Sequence, residues 1–346
     1  MLRLNSFISN FKKILIMLLF VLLMLGANRW IGERYAYAAA QNRINVWSQR
    51  RLYDFLDMPD HTVDLVFLGS SHSFCTFDPE KIDEVMGTNS FQLGMPLQHP
   101  DASYFMFREV LRTQSPGTVI VTLSWSLLQD DFSMQQIDHL FPVLEGRGLR
   151  LKEDMLENMF PLNQRVKFNI APIRFQQSFF AYMNNRLMTY FREERDLRLP
   201  AAVGEGREYY RARGYVYASY IMTEAEAESI RNSPMIDARQ WRPSPVQVGY
   251  VERIARLAQS EGISLVFVTA PVSNIYLATY QNYEAIHSQI REIAEGLNVP
   301  YLDFNYLNLD GRMFLDEHFR DARHLNDNGA RVAGNFFAAW YLAQVR

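Results

Sequence analysis

Two short segments carry residue types that together can move a proton and form a covalent bond. Residues 69–73 read Gly-Ser-Ser-His-Ser, and residues 321–324 read Asp-Ala-Arg-His. A serine hydroxyl is a weak nucleophile until a neighbouring base takes its proton, and an imidazole is an effective base when an acid orients its ring. The residue types therefore predict one of the two serines as nucleophile, His324 as base and Asp321 as acid.

The spacing within the second segment supports this interpretation. Three positions from Asp321 to His324 allow both side chains to reach one site from a single turn of chain. His318, Asp316 and Asp303 are nearby alternatives for the base and the acid. By itself, a Gly-Ser-Ser tripeptide also fits a plain turn whose serine caps a helix.

The surrounding hydrophobic pattern predicts how the serines are held. Residues 63–68 form an apolar run that leads into Gly69, as expected for a strand buried on both faces of a parallel sheet. Four further strands, separated mostly by helices, are predicted at 90–94, 118–123, 263–269 and 299–304. This alternation predicts an α/β fold, a three-layer sandwich with a mostly parallel central sheet.

Ligands of such sheets bind beyond the carboxyl ends of the strands. Gly94 ends the second predicted strand, where its N–H can bind a developing oxyanion, although a simple turn residue is equally consistent. Ser124 ends the third strand and can serve in the same way. His72 is expected near the substrate, with a buried structural histidine as the alternative.

The N-terminus predicts a membrane anchor. Residues 14–27 are uncharged and strongly apolar, and Lys12 and Lys13 precede them. A cleaved signal peptide with a site near residues 36–38 is the competing interpretation, but charged residues before that site favour a retained anchor. We therefore expect an anchor and juxtamembrane helix over 1–60. An α/β domain over 61–346 follows, with an aromatic and arginine-rich, mostly helical insertion at about 130–240.

Composition limits the alternatives. The 346 residues carry a net charge of −3, which gives no whole-chain argument for binding nucleic acid. Cys75 is the only cysteine, so an internal disulfide and a CxxC zinc site are both impossible. Neither a metal nor an organic cofactor is implied.

The order of these motifs resembles the SGNH (GDSL-like) hydrolase superfamily, whose fold is flavodoxin-like. Residues 68–72 and 321–326 are most similar to its membrane-anchored members that modify cell-surface polymers, such as the teichoic acid D-alanylation and alginate O-acetylation proteins. The resemblance covers about 62–130 and 245–346. It implies that Ser71 is the nucleophile, that His324 and Asp321 complete a triad, and that Gly94 is the second-block glycine.

One block of the superfamily pattern is missing. Leu123-Ser-Trp-Ser126 stands where the resemblance implies Gly-x-Asn-Asp, so the expected oxyanion-hole asparagine is not visible. Asn274, after a later strand, is the candidate substitute and is expected near the substrate.

The resemblance implies a membrane-anchored serine esterase or O-acyltransferase. It would act on a cell-envelope glycan or a teichoic-acid-like polymer. Its location would be the cytoplasmic membrane, as a single-pass protein with an extracytoplasmic catalytic domain. The alternative is a catalytically weak glycan-binding or assembly partner of a multi-spanning membrane O-acyltransferase.

Overall fold

The computed structural model describes residues 2–40, 43–144, 150–174 and 207–345. Much of the predicted insertion, including 175–206, therefore lies outside the described residues. Contacts between Cα atoms divide the chain into two compact units. The larger comprises 43–159 with 199–346, and the smaller comprises 1–42 with 160–198.

Strands and helices alternate along most of the larger unit. In chain order the strands are β1 (Leu65–Leu68), β2 (Ser90–Gln92), β3 (Thr118–Thr122), β4 (Glu208–Tyr210), β5 (Val216–Ala218), β6 (Ile236–Asp237), β7 (Ser264–Thr269), β8 (Tyr280–Gln281) and β9 (Tyr301–Asp303). The helices of the whole chain, numbered together, are α1 (Leu2–Ala40), α2 (Arg43–Leu56), α3 (Ser71–Thr76), α4 (Pro79–Met86), α5 (Pro100–Val110), α6 (Trp125–Leu128), α7 (Met134–Leu140), α8 (Leu151–Asn158), α9 (Leu162–Asn169), α10 (Ala171–Arg174), α11 (Glu224–Arg231), α12 (Pro245–Ser260), α13 (Asn274–Leu277), α14 (Glu284–Gly296), α15 (Phe304–Leu307) and α16 (Asp327–Gln344).

Five of these strands form one parallel sheet in the order β2-β1-β3-β7-β9. The order reverses at β1, because β2 lies on one side of it and β3 on the other. The carboxyl ends of β1 and β3 therefore border the crevice where ligands of open α/β sheets bind. The predicted fold class, with a parallel sheet between helices, is confirmed, and each predicted sheet strand is present at or within its predicted bounds.

Helices cover both faces of the sheet. On one face, Phe67, Ile120 and Val266 pack in a single core cluster with Ile82 of α4 and Phe337 of α16. On the other face, α5 and α12 contact each other and also contact β1 and β7 respectively. Because every residue of β1 and β3 is buried, the apolar runs of the sequence have no solvent-facing positions.

An antiparallel hairpin of β4 and β5 lies inside the insertion that we expected to be mostly helical. Tyr209 and Tyr217 stack across it with ring centroids 4.8 Å apart. Its turn meets β2, because the Gln92 N–H donates to Arg213 O at 2.9 Å. The hairpin turn thus packs on the β2 edge of the sheet, and the insertion is not helical throughout.

Helix α2 belongs to the larger unit through a buried arginine. Arg51 Nε donates to the carbonyl of Gly214 in the hairpin turn at 2.8 Å. Its guanidinium lies 4.4 Å from the ring centroid of Phe74 in α3. Burial lowers the pKa of Arg51 to about 10, so this group stays charged at neutral pH. The contact joins α2, the hairpin and α3.

The smaller unit contains one long helix and two short ones in its described part. Residues Asn10–Gly32 of α1 have a mean hydropathy of 2.2, and none of them is buried. The helix is long and apolar enough to cross a membrane, a property that signal sequences share.

Gly214 is the position where the hairpin turn tolerates no side chain. Its φ is +87°, and an added Cβ would lie 1.8 Å from Gln92 O. We expect Gly214→Ala to lower the free energy of unfolding by about 2–4 kcal/mol, because strained backbone and a backbone clash combine. Urea unfolding of the full chain in detergent, followed by tryptophan fluorescence, measures this change.

The matched control is Gly249→Ala, inside α12, where an added Cβ meets nothing within 4 Å. It should raise the free energy of unfolding by about 0.5–1 kcal/mol, since alanine is the better helix former. Equal stability of Gly214→Ala and the parent protein would show that the hairpin does not pack on β2 in this way.

Candidate active site

A sharp turn at the end of β1 presents Ser71. Gly69 has φ +130°, and an added Cβ would lie 2.9 Å from both Cβ and O of Thr122 on β3. Ser70 caps α3 by accepting the N–H of His72 at 3.3 Å. The hydroxyl of Ser70 therefore stabilises the helix start, and Ser71 is left as the first residue of α3 at the strand end.

The structure brings Ser71, His324 and Asp321 into direct contact. Ser71 Oγ lies 2.7 Å from His324 Nε2. On the other side of the ring, His324 Nδ1 lies 2.9 Å and 2.8 Å from the two oxygens of Asp321. Because an ionised carboxylate only accepts hydrogen bonds, Nδ1 carries the proton and Nε2 accepts from the Ser71 hydroxyl. This is the arrangement of a serine, base and acid triad.

The segment that carries the base and the acid is held by its own backbone. The N–H groups of Arg323 and His324 donate to Asp321 Oδ1 at 2.8 Å and 2.9 Å. The carbonyl of Ala322 accepts from both the N–H and the hydroxyl of Ser273, at the start of α13. The turn is therefore fixed before any substrate arrives.

Electrostatics keep the acid ionised. Burial acts to raise the pKa of Asp321, but the hydrogen bond from His324 and the charges of His324 and Arg320 outweigh it. The net pKa of Asp321 is well below its ordinary value. The carboxylate is thus available at neutral pH to stabilise a protonated His324.

Arg320 is a site residue that the sequence analysis missed. It is 8% exposed, and its Nη2 donates to Cys75 Sγ of α3 at 2.8 Å while Nη1 pairs with Glu208 at 3.0 Å. Its Nε lies 4.0 Å from Asp321 Oδ2. Arg320 therefore links the acid segment to the helix of the nucleophile. Its place next to Asp321 in the sequence was the available signal, but nothing in the sequence indicated burial.

Cys75 and His72 are both buried beside the triad. Burial raises the pKa of Cys75 to about 12, so the thiol stays protonated. Burial also lowers the pKa of His72 to about 3, and the charges of His324 and Arg323 act in the same direction. The His72 and His324 rings lie 5.1 Å apart. The structure thus places His72 as a neutral neighbour of the base, and its predicted contact with substrate stays a prediction.

Most of the predicted oxyanion donors already have hydrogen-bond partners. The Gly94 N–H donates to Gln92 Oε1 at 2.9 Å. Ser124 Oγ lies 3.0 Å from Ser126 Oγ. The N–H of Ser71 makes no hydrogen bond to the described residues. The Ser71 N–H can therefore bind an oxyanion without losing another hydrogen bond. The Gly94 N–H must first leave Gln92 Oε1.

Gly94 nevertheless lies against the nucleophile turn. An added Cβ would come within 2.8 Å of Gly69 O and 3.2 Å of Ser70 O. The close approach of the two backbones requires glycine here.

The side-chain amide of Asn274 is occupied within its own loop. Its Nδ2 donates to Phe314 O at 2.8 Å, and its Oδ1 accepts from Asn308 Nδ2 at 2.8 Å. Asn274 also borders a pocket of about 520 Å³ at the start of α13. The predicted role at the substrate would require this amide to leave both partners.

Two of the alternative residues, Asp303 and His318, have other partners. Asp303 pairs with His287 at 2.9 Å, and His318 Nδ1 accepts the N–H of Leu315 at 3.1 Å. In the part of the chain that the structure describes, no three His, Cys, Asp or Glu side chains are grouped as a metal site.

Comparison with known proteins gives distant similarity only. No family model and no curated protein matches the chain. Among solved structures, it is similar to a proposed acylhydrolase from Bacteroides fragilis (12% identity, TM-score 0.38, covering 86% of this chain and 97% of that one). It is also similar to a GDSL-like lipase from Bacteroides thetaiotaomicron, with 9% identity and a TM-score of 0.39 over 87% of this chain and 100% of that one. A third similar structure is that of a proposed lipolytic protein of the G-D-S-L family from Desulfitobacterium hafniense. It has 14% identity and a TM-score of 0.37 over 80% of this chain and 98% of that one. At these identities and TM-scores, only the geometry of the site bears on its chemistry.

His72 makes stability depend on pH. An unfolded histidine titrates near pH 6.5, whereas His72 in the fold has a pKa of about 3. Between these values the unfolded chain binds more protons, so stability falls as pH falls, by up to about 1.4 kcal/mol per pH unit. We expect His72→Gln to flatten the change in unfolding free energy between about pH 7 and pH 5. Urea titrations at each pH measure it.

His61→Asn is the control, because His61 is exposed and has a positive φ that asparagine tolerates. This variant should keep the slope of the parent protein. If His72→Gln also keeps that slope, His72 is not held neutral by the fold.

Proposed function

We propose that the chain is a serine esterase or O-acyltransferase that acts on a cell-envelope polysaccharide or teichoic-acid-like polymer. One observation supports the chemistry above all others: the 2.7 Å contact between Ser71 Oγ and His324 Nε2, with Asp321 on the opposite ring nitrogen. A hydroxyl held in this way is an activated nucleophile for acyl groups.

In the proposed mechanism, Ser71 Oγ attacks the carbonyl carbon of an ester while His324 Nε2 takes the hydroxyl proton. Asp321 stabilises the imidazolium that forms. The tetrahedral intermediate collapses, the carbon–oxygen bond of the ester breaks, and His324 returns the proton to the leaving alkoxide. The acyl group is then on Ser71. A second hydroxyl, from water or from a sugar, attacks the acyl carbon while His324 Nε2 takes its proton. The bond between the acyl carbon and Ser71 Oγ then breaks, and His324 returns the proton to Ser71 Oγ.

The developing oxyanion is stabilised first by the N–H of Ser71. This group opens α3, where backbone N–H groups and the helix dipole favour negative charge. Gly94 can add a second donor if its N–H leaves Gln92 Oε1. Hydrolysis and transfer differ only in the acceptor.

The membrane part of the proposal is supported by the apolar stretch Asn10–Gly32 of α1. Its 23 residues span about 34 Å as a helix, enough to cross the hydrocarbon core. A catalytic unit tethered at a membrane meets envelope polymers at a high local concentration. We place that unit on the extracytoplasmic side.

A second candidate function is favoured by the engaged Gly94 N–H and the missing asparagine. With a weak oxyanion site, the same fold would act as a glycan-binding or assembly partner of a multi-spanning O-acyltransferase. The two candidates differ in whether Ser71 forms a covalent bond.

A fluorophosphonate probe tests this difference on the full chain. We expect the parent protein to be labelled and Ser71→Ala to be unlabelled. His324→Gln should label at least about 100-fold more slowly, because the base is lost. Labelling is read by gel fluorescence and by mass spectrometry of the peptide.

Ser70→Ala is the matched control one residue away. It removes the cap of α3, which costs about 1 kcal/mol of stability, but leaves the nucleophile in place, so labelling should persist. Labelling that survives Ser71→Ala would remove this serine from the mechanism. An unlabelled parent protein that still binds glycan would favour the second candidate.

A further inference from the structure

Helices α9 and α10, in the smaller unit, expose a row of apolar side chains. Leu162, Val166, Ile170 and Ile173 are 76%, 54%, 39% and 41% exposed. Leu162 and Val166 are four residues apart in α9, which places them on one side of that helix. Ile170 follows with extended backbone between the two helices, and Ile173 lies in α10. Exposed aliphatic side chains that recur on one side mark a surface with a partner.

The orientation of this segment is fixed by its buried side. Phe168 and Ala171 are 8% and 5% exposed, and the Phe168 ring packs edge-on against Phe160 with centroids 5.1 Å apart. Because the buried and exposed sides are distinct, the apolar row is presented outward by the packing.

Asn28 of α1 attaches the segment to the end of the apolar helix. Its Nδ2 donates to Asn169 O at 2.9 Å, and its Oδ1 accepts from Ala171 N at 2.7 Å. Two residues later, Trp30 is 46% exposed at the end of the apolar stretch. Tryptophan at the end of a membrane span typically lies at the headgroup level. A membrane span that ends near Trp30 would therefore place the junction of α9 and α10 at the depth of the headgroups.

The charges of the segment suit the same location. Residues 162–174 contain Arg165, Lys167 and Arg174 and no acidic residue. Segments that combine an apolar face with basic residues bind the boundary between headgroups and acyl chains, and anionic lipids strengthen the binding.

We propose that residues 162–174 bind the surface of the bilayer that α1 crosses, with Leu162, Val166, Ile170 and Ile173 inserted at the boundary between headgroups and acyl chains. The inference rests on the membrane anchoring in the proposed function and is independent of its catalysis. The occupant is lipid because the row continues from the membrane-spanning stretch through Asn28.

Site-specific fluorescence in the full chain tests the proposal. Cys75 is buried and protonated, so an introduced cysteine can be labelled selectively with an environment-sensitive fluorophore. Val166→Cys and, independently, Leu162→Cys report on the segment. Leu22→Cys reports on the middle of the apolar stretch. Val246→Cys is the matched control, because Val246 is 44% exposed in the larger unit.

The labelled proteins are reconstituted in anionic phospholipid vesicles with nitroxides attached either near the headgroups or deep in the acyl chains. We expect labels at 162 and 166 to be quenched several-fold more by the shallow nitroxide, the label at 22 by the deep one, and the label at 246 by neither.

Two results overturn the proposal and are distinguishable. If the label at 22 is quenched but those at 162 and 166 behave like 246, or are blue-shifted without quenching, the row faces water or protein. If the label at 22 is also unquenched, the membrane anchor fails together with this inference. Fluorophosphonate labelling of Ser71 is unaffected in either case, so the catalytic proposal is judged separately.

Discussion

The contact between Ser71 Oγ and His324 Nε2 is the interaction on which the rest of the site depends. It joins residues separated by 253 positions, so no local preference of the chain can produce it. Two separate parts of the fold bring these atoms together: the turn after β1 and the segment around Asp321. The parallel sheet brings β1 to the crevice and lets Gly69 turn the chain against Thr122. The segment around Asp321 is closed by its own hydrogen bonds and is flanked by Phe319 and Leu325, both in the main core cluster.

Arg320 links these two parts of the fold. A buried guanidinium requires partners, and this one finds them on α3, through Cys75, and on the hairpin, through Glu208. Its charge also helps to keep the neighbouring Asp321 ionised. The hairpin is in turn held to α2 by Arg51. The hairpin of the insertion therefore holds Arg320 in place and, through it, helps to position the triad.

The sequence was informative where the physics is local or repetitive. Short apolar stretches between helical segments predicted the strands of the sheet. Residue chemistry predicted the base, the acid and one of two serines, and the family resemblance selected Ser71. The hairpin was missed because tyrosines and arginines around Gly214 give no clean alternation. The state of the Gly94 N–H was beyond sequence reasoning, since it depends on which way the Gln92 amide points. Arg320 was missed because burial is a property of the fold.

Trapping the covalent intermediate is the most direct test of Ser71 as the nucleophile. The full chain is mixed with an activated acetyl ester, quenched with acid at short times and digested for mass spectrometry. We expect an acetyl group on the peptide that contains Ser71, located on that residue by fragmentation. The rate of this acetylation should collapse in His324→Gln. Ester turnover with no acetyl group on Ser71, or acetylation whose rate does not depend on His324, would contradict this expectation.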